Sequence, residues 1–474
     1  MLYAYWFRKD LRVNDNKALS EFISVVRNRF NKKKDKIIFF YIKGKNSFSY
    51  YGEKRIKFLY ECLNDLYNTL KKFGFDLEIY SGSSGDVIKN LCENSDEISL
   101  YANKQYEPYN IKRDKLIYEI IKQKGTFNLF NDTVLSEPGS ILKDDKSPYI
   151  VYTPFKKKFL NLLNINSFEE YNSDLNQIRE FSKYQYKSVY IEKINILSEN
   201  FNLKNNLNFK GGRKEGFKLL NHFLNTRVFD YHLLRDFPSI NGTSLISPHL
   251  HFGTISVREC FNLALKQTKN KKALKGVQTW ISELIWREFY YQIAFHFPYI
   301  INGAFIKRYD NIEWENDKIK FDRWCNGLTG YPIVDAGMRQ LVKEGWMHNR
   351  VRMITAMFLT KDLLIDWRWG EKFFAEHLID LDFANNNGGW QWSASTGCDS
   401  QPYFRIFNPY LQSVKFDPDG VYIKKYVPEL KNLDGKNIHK PDLELIKSEK
   451  YPTPIIDHFK MKEIAILKFK SVSN

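Results

Sequence analysis

Over residues 1–130, short apolar runs alternate with stretches whose apolar positions recur at helical spacing. The runs Leu2–Phe7, Ile37–Ile42, Asp76–Tyr80, Ile98–Tyr101 and Phe127–Phe130 are too short for helices and predict strands. Between them, Arg55–Leu66, Asp86–Leu91 and Ile111–Ile121 place apolar side chains three and four apart, which predicts helices. Strand and helix in alternation predict βαβ units on a parallel sheet. From Leu135 the pattern loosens: Pro interrupts it at Glu137-Pro-Gly, Ser147-Pro and Thr153-Pro, and Asn166–Asn208 is polar and weakly periodic, as a long surface connector would be. After Gly211 the chain turns helical and aromatic, and nine of its ten tryptophans follow residue 279. The expected architecture is an α/β N-terminal domain with a Rossmann-like parallel sheet (1–133), a connector (134–208) and an all-α C-terminal domain (209–474).

Length and composition narrow this picture without deciding it. With 474 residues and 43% hydrophobic content, each domain can bury a full core. No apolar run approaches the ~18 residues of a membrane span. The N-terminal residues become charged within ten positions, unlike a signal peptide. Cys62, Cys92, Cys260, Cys325 and Cys398 are widely spaced with no CxxC, as expected of reduced thiols in a cytoplasmic protein. A net charge of +17 favours a polyanionic partner, nucleic acid above all, although richness in Lys, Asn and Ile accounts for part of the excess. No metal-ligand spacing occurs; His249-Leu-His251 alone cannot hold an ion. Gly211-Gly-Arg-Lys-Glu-Gly216 lacks the Gly-Lys-Ser/Thr of a phosphate loop and reads as the approach to a helix over Lys214–Leu224.

Four segments carry candidate chemistry. Thr243-Ser-Leu-Ile-Ser-Pro-His249 places hydroxyls and free amides before a Pro-initiated helix, with Ser247 as N-cap and Pro248 first in the helix, an arrangement suited to a phosphate. A helix beginning near Val277 brings Trp280, Glu283 and Arg287 to one face at i, i+3, i+7, with Trp286 to the side and Arg287 as a natural partner for Glu283. Trp346-Met-His-Asn-Arg-Val-Arg-Met353 mixes large apolar and polar groups on another helix. Asp380-Leu-Asp-Phe-Ala-Asn-Asn-Asn-Gly-Gly-Trp-Gln-Trp392 sets acids and amides beside two tryptophans. An Asn387-Gly388 turn explains only part of it; stacked rings beside amides suit a planar heterocycle, flavin and nucleobase alike.

Together these segments resemble the DNA photolyase/cryptochrome family, closest to the bacterial class I photolyases of cyclobutane pyrimidine dimers. The likeness runs from Trp6-Phe-Arg-Lys-Asp-Leu-Arg12 through Thr153-Pro-Phe-Lys156 and Arg235-Asp-Phe-Pro238. It is dense over Glu283–Phe289, Thr329–Asp335, Trp346–Met353, Asp362–Arg368 and Asp380–Pro409. The resemblance implies a helical domain that holds reduced FAD. Tyr231, Thr243, Ser244, Leu245, Ile246 and Ser247 would bind its phosphates, and Trp280, Glu283 and Arg287 would line its cavity. Asp380 (paired with Arg352) and Asp382 would meet the flavin and ribose, with Asn386 at flavin N5. It implies UV-damaged DNA as partner and a dimer flipped out of the duplex. Trp286 and Trp392 would stack on that dimer, Glu283, Asn349 and Met353 would contact it, and Arg235, Arg350, Arg405 and Lys156 would hold DNA phosphates. Trp390, Trp367 and Trp314 would relay electrons to an oxidised flavin, while Trp324, Trp346 and Trp369 are expected in the core. The implied reaction is light-driven splitting of the cyclobutane ring. Asn349, where (6-4) photolyases carry a second histidine, and paired Trp286 and Trp392, where DASH cryptochromes carry Tyr, set the subfamily apart. A photoreceptor of cryptochrome type is the alternative. Folate-carrying relatives place Asn-Glu after Gln-Tyr-Glu and Cys-Lys further on; Pro108-Tyr-Asn-Ile-Lys112 and Ile301-Asn302 stand here, which argues against a folate antenna and leaves another chromophore or none. A cytoplasmic monomer with no obligate protein partner is expected.

Overall fold

The structure is a computed structural model and describes residues 1–44, 52–162, 168–187 and 209–472. It opens with β1 (Leu2–Phe7), α1 (Lys17–Arg29), β2 (Lys36–Lys43), α2 (Glu53–Lys72), β3 (Leu77–Ser81), α3 (Ser84–Glu93), β4 (Ile98–Asn103), α4 (Pro108–Ile121) and β5 (Gly125–Phe130). The five strands form one parallel sheet in the order β3-β2-β1-β4-β5, as the alternating pattern predicts. All six residues of β1 are buried because helices cover both faces of a parallel sheet. Leu2, Ala4 and Trp6 pack on one side with Ile38, Phe40, Leu100 and Ile117. On the other, Tyr5 meets Phe22 and Phe39 edge-on or tilted.

Helix α1 is absent from the expectations above, although Ala18, Leu19, Phe22, Ile23 and Val26 follow helical spacing and the side chain of Asn16 caps Leu19 N–H. The expected connector also contains order: Leu175–Tyr184 is a 3-10 helix whose Leu175, Ile178 and Phe181 are buried. Their spacing of three is the period of that helix, and it escapes a search for 3.6. Residues 163–167 and 188–208 of the connector lie outside the described residues.

By internal contacts the chain divides into two compact units. The first holds residues 1–148, 156–229 and 244–295; the second holds 149–155, 230–243 and 296–474. The first includes α5 (Val257–Gln267) and the long α6 (Leu274–His296). The second includes α7 (Asn349–Met357), α8 (Trp367–His377) and α9 (Phe383–Ala394) around a core of Trp324, Tyr331, Leu359, Trp367, Phe374 and Trp390, and α10 (His458–Ser471), whose Met461, Ala465 and Phe469 pack in separate clusters. Among the described residues no helix is long and apolar enough to cross a membrane, and no cluster of His, Cys, Asp or Glu could hold a metal.

Candidate functional site

In the first unit the candidates gather on α6. Trp280 is buried against Phe223 (centroids 5.1 Å), while Glu283, Trp286 and Arg287 stay partly open. Trp286 lies beside Phe289 and Tyr290, each at 5.7 Å. Arg287 lies 3.5 Å from Glu288 and 4.9 Å from the Tyr291 ring centroid. Lys156 donates to the Ser282 hydroxyl at 2.6 Å, which brings it to the same helix. The phosphate segment differs from expectation in one respect. Ser247 is the first residue of the short helix Ser247–Phe252, and its N-cap is Ile246, which has no side-chain acceptor. Pro248 forces a start in the first turn, and the helix simply begins one residue early. Leu245, just before it, takes a left-handed conformation (φ 58°).

In the second unit Tyr231 is buried and Arg235 lies over its ring at 5.7 Å. Asp236 stands between two expected phosphate ligands, 3.9 Å from Arg235 and 2.9 Å from Arg350. Asn349 and Met353 share a face of α7, the amide 3.9 Å from the sulfur. Arg405 is exposed in a turn after the exposed Phe404. Arg352 reaches both oxygens of Asp380, at 3.1 and 2.9 Å, and donates from Nε to the Met347 carbonyl at 2.8 Å.

Helix α9 corrects the local reading of its own sequence. Asn387-Gly388 forms no turn; both lie inside a helix capped by Asp382, which accepts from Asn385 N–H (3.1 Å) and its amide (2.7 Å). Buried polar groups override the turn signal. Asn387 donates to the Ile300 carbonyl (3.1 Å) and to Glu371 (3.0 Å), and Gln391 donates to Asn387 (2.9 Å) while accepting from Phe305 N–H (2.8 Å). Asp382, Asn386 and Gly389 fall at i, i+4, i+7 on one face. Asn386 Nδ2 donates to the Glu371 carbonyl (3.2 Å), which can only accept, so its Oδ1 is turned the other way. At Gly389 an added Cβ would have no described atom within 4 Å. A helix-interior glycine costs about 1 kcal/mol against alanine, so open room beside it suits a group that needs close approach to backbone.

Burial pushes the Glu371 carboxyl up to about 7, with Asn387 and Arg368 offsetting part of the rise. An acid raised on folding contributes stability below its unfolded value that is lost as pH climbs through the folded one. We therefore expect the thermal midpoint to fall between pH 5 and pH 8, and to fall less in Glu371→Gln, which still accepts from Asn387. Calorimetry at the two pH values checks this.

Against sequences of known proteins, residues 3–172 match the family described as DNA photolyase and residues 280–471 the FAD binding domain of DNA photolyase. The deoxyribodipyrimidine photo-lyase of Vibrio cholerae is 36% identical, with 98% of each chain covered. The chain belongs to the DNA photolyase family. Among solved structures, it is similar to a class III photolyase from Agrobacterium tumefaciens (TM-score 0.86, 34% identity, 99% of this chain and 97% of that one). It is also similar to the archaeal photolyase from Sulfolobus tokodaii with two FAD molecules (TM-score 0.78, 32% identity, 99% and 100%).

One face of α9 offers an acceptor at Asn386 and open room at Gly389, and the Arg352–Asp380 charge pair lies in the same unit. The tryptophans sort by burial. Trp390 is 2% exposed and meets Phe374 (4.9 Å) and Trp324 (6.1 Å); Trp367 is 1% exposed; Trp314 is partly open and meets Phe469 (6.0 Å). Trp324 is a core residue as expected, its indole N–H donating to the Thr355 carbonyl at 3.1 Å. Trp346 and Trp369 are half-buried instead: Trp346 lies beside His348 in the segment before α7, which begins only at Asn349 rather than at Trp346 as expected, and Trp369 lies on α8 beside Phe321. In the segment compared with folate-carrying relatives, Pro108 opens α4 and Asn110 donates to Glu107 at 2.7 Å. The anchoring residues Glu288, Gln292, Glu371 and Asp236 are not among the sequence candidates, because their partners are close only in the fold.

Proposed function

We propose that this protein repairs cyclobutane pyrimidine dimers in UV-damaged DNA, driven by blue or near-UV light, with FAD as cofactor. What carries the reading is likeness to deoxyribodipyrimidine photo-lyases over 98% of the chain. Bound in its reduced form, FAD would supply the light-driven electron transfer that splits the cyclobutane ring with no net redox change.

The chain's own residues then have distinct tasks. Tyr231 and Thr243 through Ser247 bind the FAD phosphates, and Trp280 and Arg287 line the cavity. Asn386 presents Oδ1, the acceptor that N5–H of the reduced flavin requires. Asp380, neutralised by Arg352, and Asp382 complete the set. Trp286 and Trp392 stack on the flipped dimer, Glu283 in its protonated form donates to a pyrimidine carbonyl, and Asn349 and Met353 border it. Arg235, Arg350, Arg405 and Lys156 grip phosphates and position the DNA without reading its sequence. The enzyme works as a monomer in the cytoplasm, which light scattering at the chain mass of 56.4 kDa checks for the oligomeric state.

The test is an oligonucleotide with a single thymine dimer, incubated with reduced protein in blue light and in darkness. Intact thymines should return only in light; equal recovery in both, or none, overturns the assignment. Trp286→Ala should weaken preference for damaged DNA by roughly 1–3 kcal/mol, the scale of one stacking contact, measured by competition binding.

A further inference from the structure

Two polar side chains of α6 have no task in the repair scheme and are fully enclosed. Glu288 is 1% exposed and Gln292 is 3% exposed. Glu288 Oε2 accepts from the backbone N–H groups of Leu135 (2.9 Å) and Ser136 (3.2 Å). One turn on, Gln292 accepts from Gly139 N–H (2.8 Å), and its amide donates to the Glu137 carbonyl (3.4 Å). Segment 135–139 is thus tied down twice, once by a neutral amide and once by a carboxylate. A second amide could do the same work, and an enclosed carboxylate is costly unless its charge is used.

The charge faces Arg287. Glu288 Oε1 lies 3.5 Å from Arg287 Nη1, and the same guanidinium stands 4.9 Å from the Tyr291 centroid. Tyr106 stands edge-on to that tyrosine, its ring 6.4 Å from Tyr291. A guanidinium held by a carboxylate at one nitrogen and a ring at its plane has little rotamer freedom left.

We propose that Glu288 is a positioning residue for the flavin site: backed by segment 135–139, its carboxylate fixes Arg287 in the orientation from which Arg287 binds FAD. This rests on the reading of Arg287 as a flavin-binding residue. Burial pushes the Glu288 carboxyl up to about 7, with Arg287 and the Leu135 and Ser136 amides pulling it partly back. Arg287 is the charged group facing it, and Tyr106 and Tyr291 are the titratable ones. The carboxylate is therefore present at pH 8 and largely protonated at pH 6, so its hold on Arg287 strengthens as pH rises.

The test is FAD titration of full-length protein by flavin fluorescence at pH 6 and pH 8, with thermal midpoints alongside. Glu288→Gln keeps an acceptor for the two backbone N–H groups and removes the charge. It should bind FAD roughly tenfold more weakly at pH 8, the scale of one charge-assisted contact, and nearly as well as the parent at pH 6. Gln292→Ala should lower the thermal midpoint and leave FAD affinity unchanged. Equal affinity of Glu288→Gln and parent at pH 8 overturns the proposal. So does a loss that is equal at both pH values and tracks the thermal midpoint, as a purely structural tie would give. Should Glu288→Gln not fold, the parent alone decides: FAD affinity that does not strengthen from pH 6 to pH 8 overturns it. A parent that binds no FAD at all overturns the flavin reading instead.

Discussion

Trp390→Phe is expected to stop the light-driven reduction of oxidised protein while sparing repair by protein reduced chemically beforehand. The three tryptophans proposed to relay electrons differ in exposure: Trp390 and Trp367 are buried, and Trp314 is partly exposed. Among the described residues the Trp390 indole N–H has no hydrogen-bond acceptor. A hole created on Trp390 therefore finds no protein group to take its proton, and it is stabilised only by moving outward to a tryptophan nearer solvent. Phenylalanine is harder to oxidise and blocks the first move. It is also a mild change to the packing. Gly370 lies under the far edge of the indole, where a Cβ would stand 2.1 Å from Cη2, so the smaller ring leaves a void beside a residue that cannot fill it. The cost should be about 1–3 kcal/mol, too little to unfold the domain. Visible absorption under blue light with an external thiol checks the outcome. Bleaching at the parental rate would remove Trp390 from the route, and loss of dark-reduced repair as well would assign it to the flavin pocket.

The parts of the fold that were legible in sequence are those decided locally. Strand β1 matches its predicted bounds because its six buried residues form an apolar run too short for a helix that gives way at once to Arg8-Lys-Asp10, with no competing helical period. Leu175, Ile178 and Phe181 were missed because their period of three belongs to neither a standard helix nor a strand. At Asn387-Gly388 a correct local rule gave a wrong result: the amide ladder through Glu371, Asn387 and Gln391 draws partners from 300–305 and 371, and that tertiary satisfaction outweighs the preference of Asn-Gly for turns. The site shows the same division. Pairs on one helix, such as Asn349 with Met353, follow from spacing alone. Arg352–Asp380 follows from family likeness, the partners standing 28 positions apart. Nothing in the sequence connects Glu288 to Leu135, 153 residues away, or Asp236 to Arg350.

Asp132→Ala is expected to cost the first unit about 3–5 kcal/mol, the largest stability loss from any one side chain discussed here. Asp132 follows β5 and lies between two guanidiniums, Arg12 at 2.6 Å from the loop after β1 and Arg258 at 2.5 Å from α5. Arg12 also donates to the carbonyls of Gly253 (3.0 Å) and Asp15 (2.6 Å), and Arg258 reaches the Asp15 carboxylate at 3.2 Å. All four side chains are enclosed, with exposures of 1–6%. Removing Asp132 leaves two buried cations sharing the single carboxylate of Asp15, and the uncompensated charge, more than the lost contacts, sets the size of the effect. Because domains are typically stable by only ~5–15 kcal/mol, that is about a fifth of the total or more. Asp132→Asn keeps one acceptor and should recover part of it. Burial alone would raise the Asp132 carboxyl, but Arg12 and Arg258 outweigh it and hold the group below the usual 3.8. The stability it contributes is therefore present above 3.8 and is lost as pH falls through its lower folded value. Urea unfolding should accordingly show a deficit in Asp132→Asn that is constant from pH 8 to pH 5 and narrows below pH 4. A deficit that holds its size into acid would mean the loss comes from packing rather than charge.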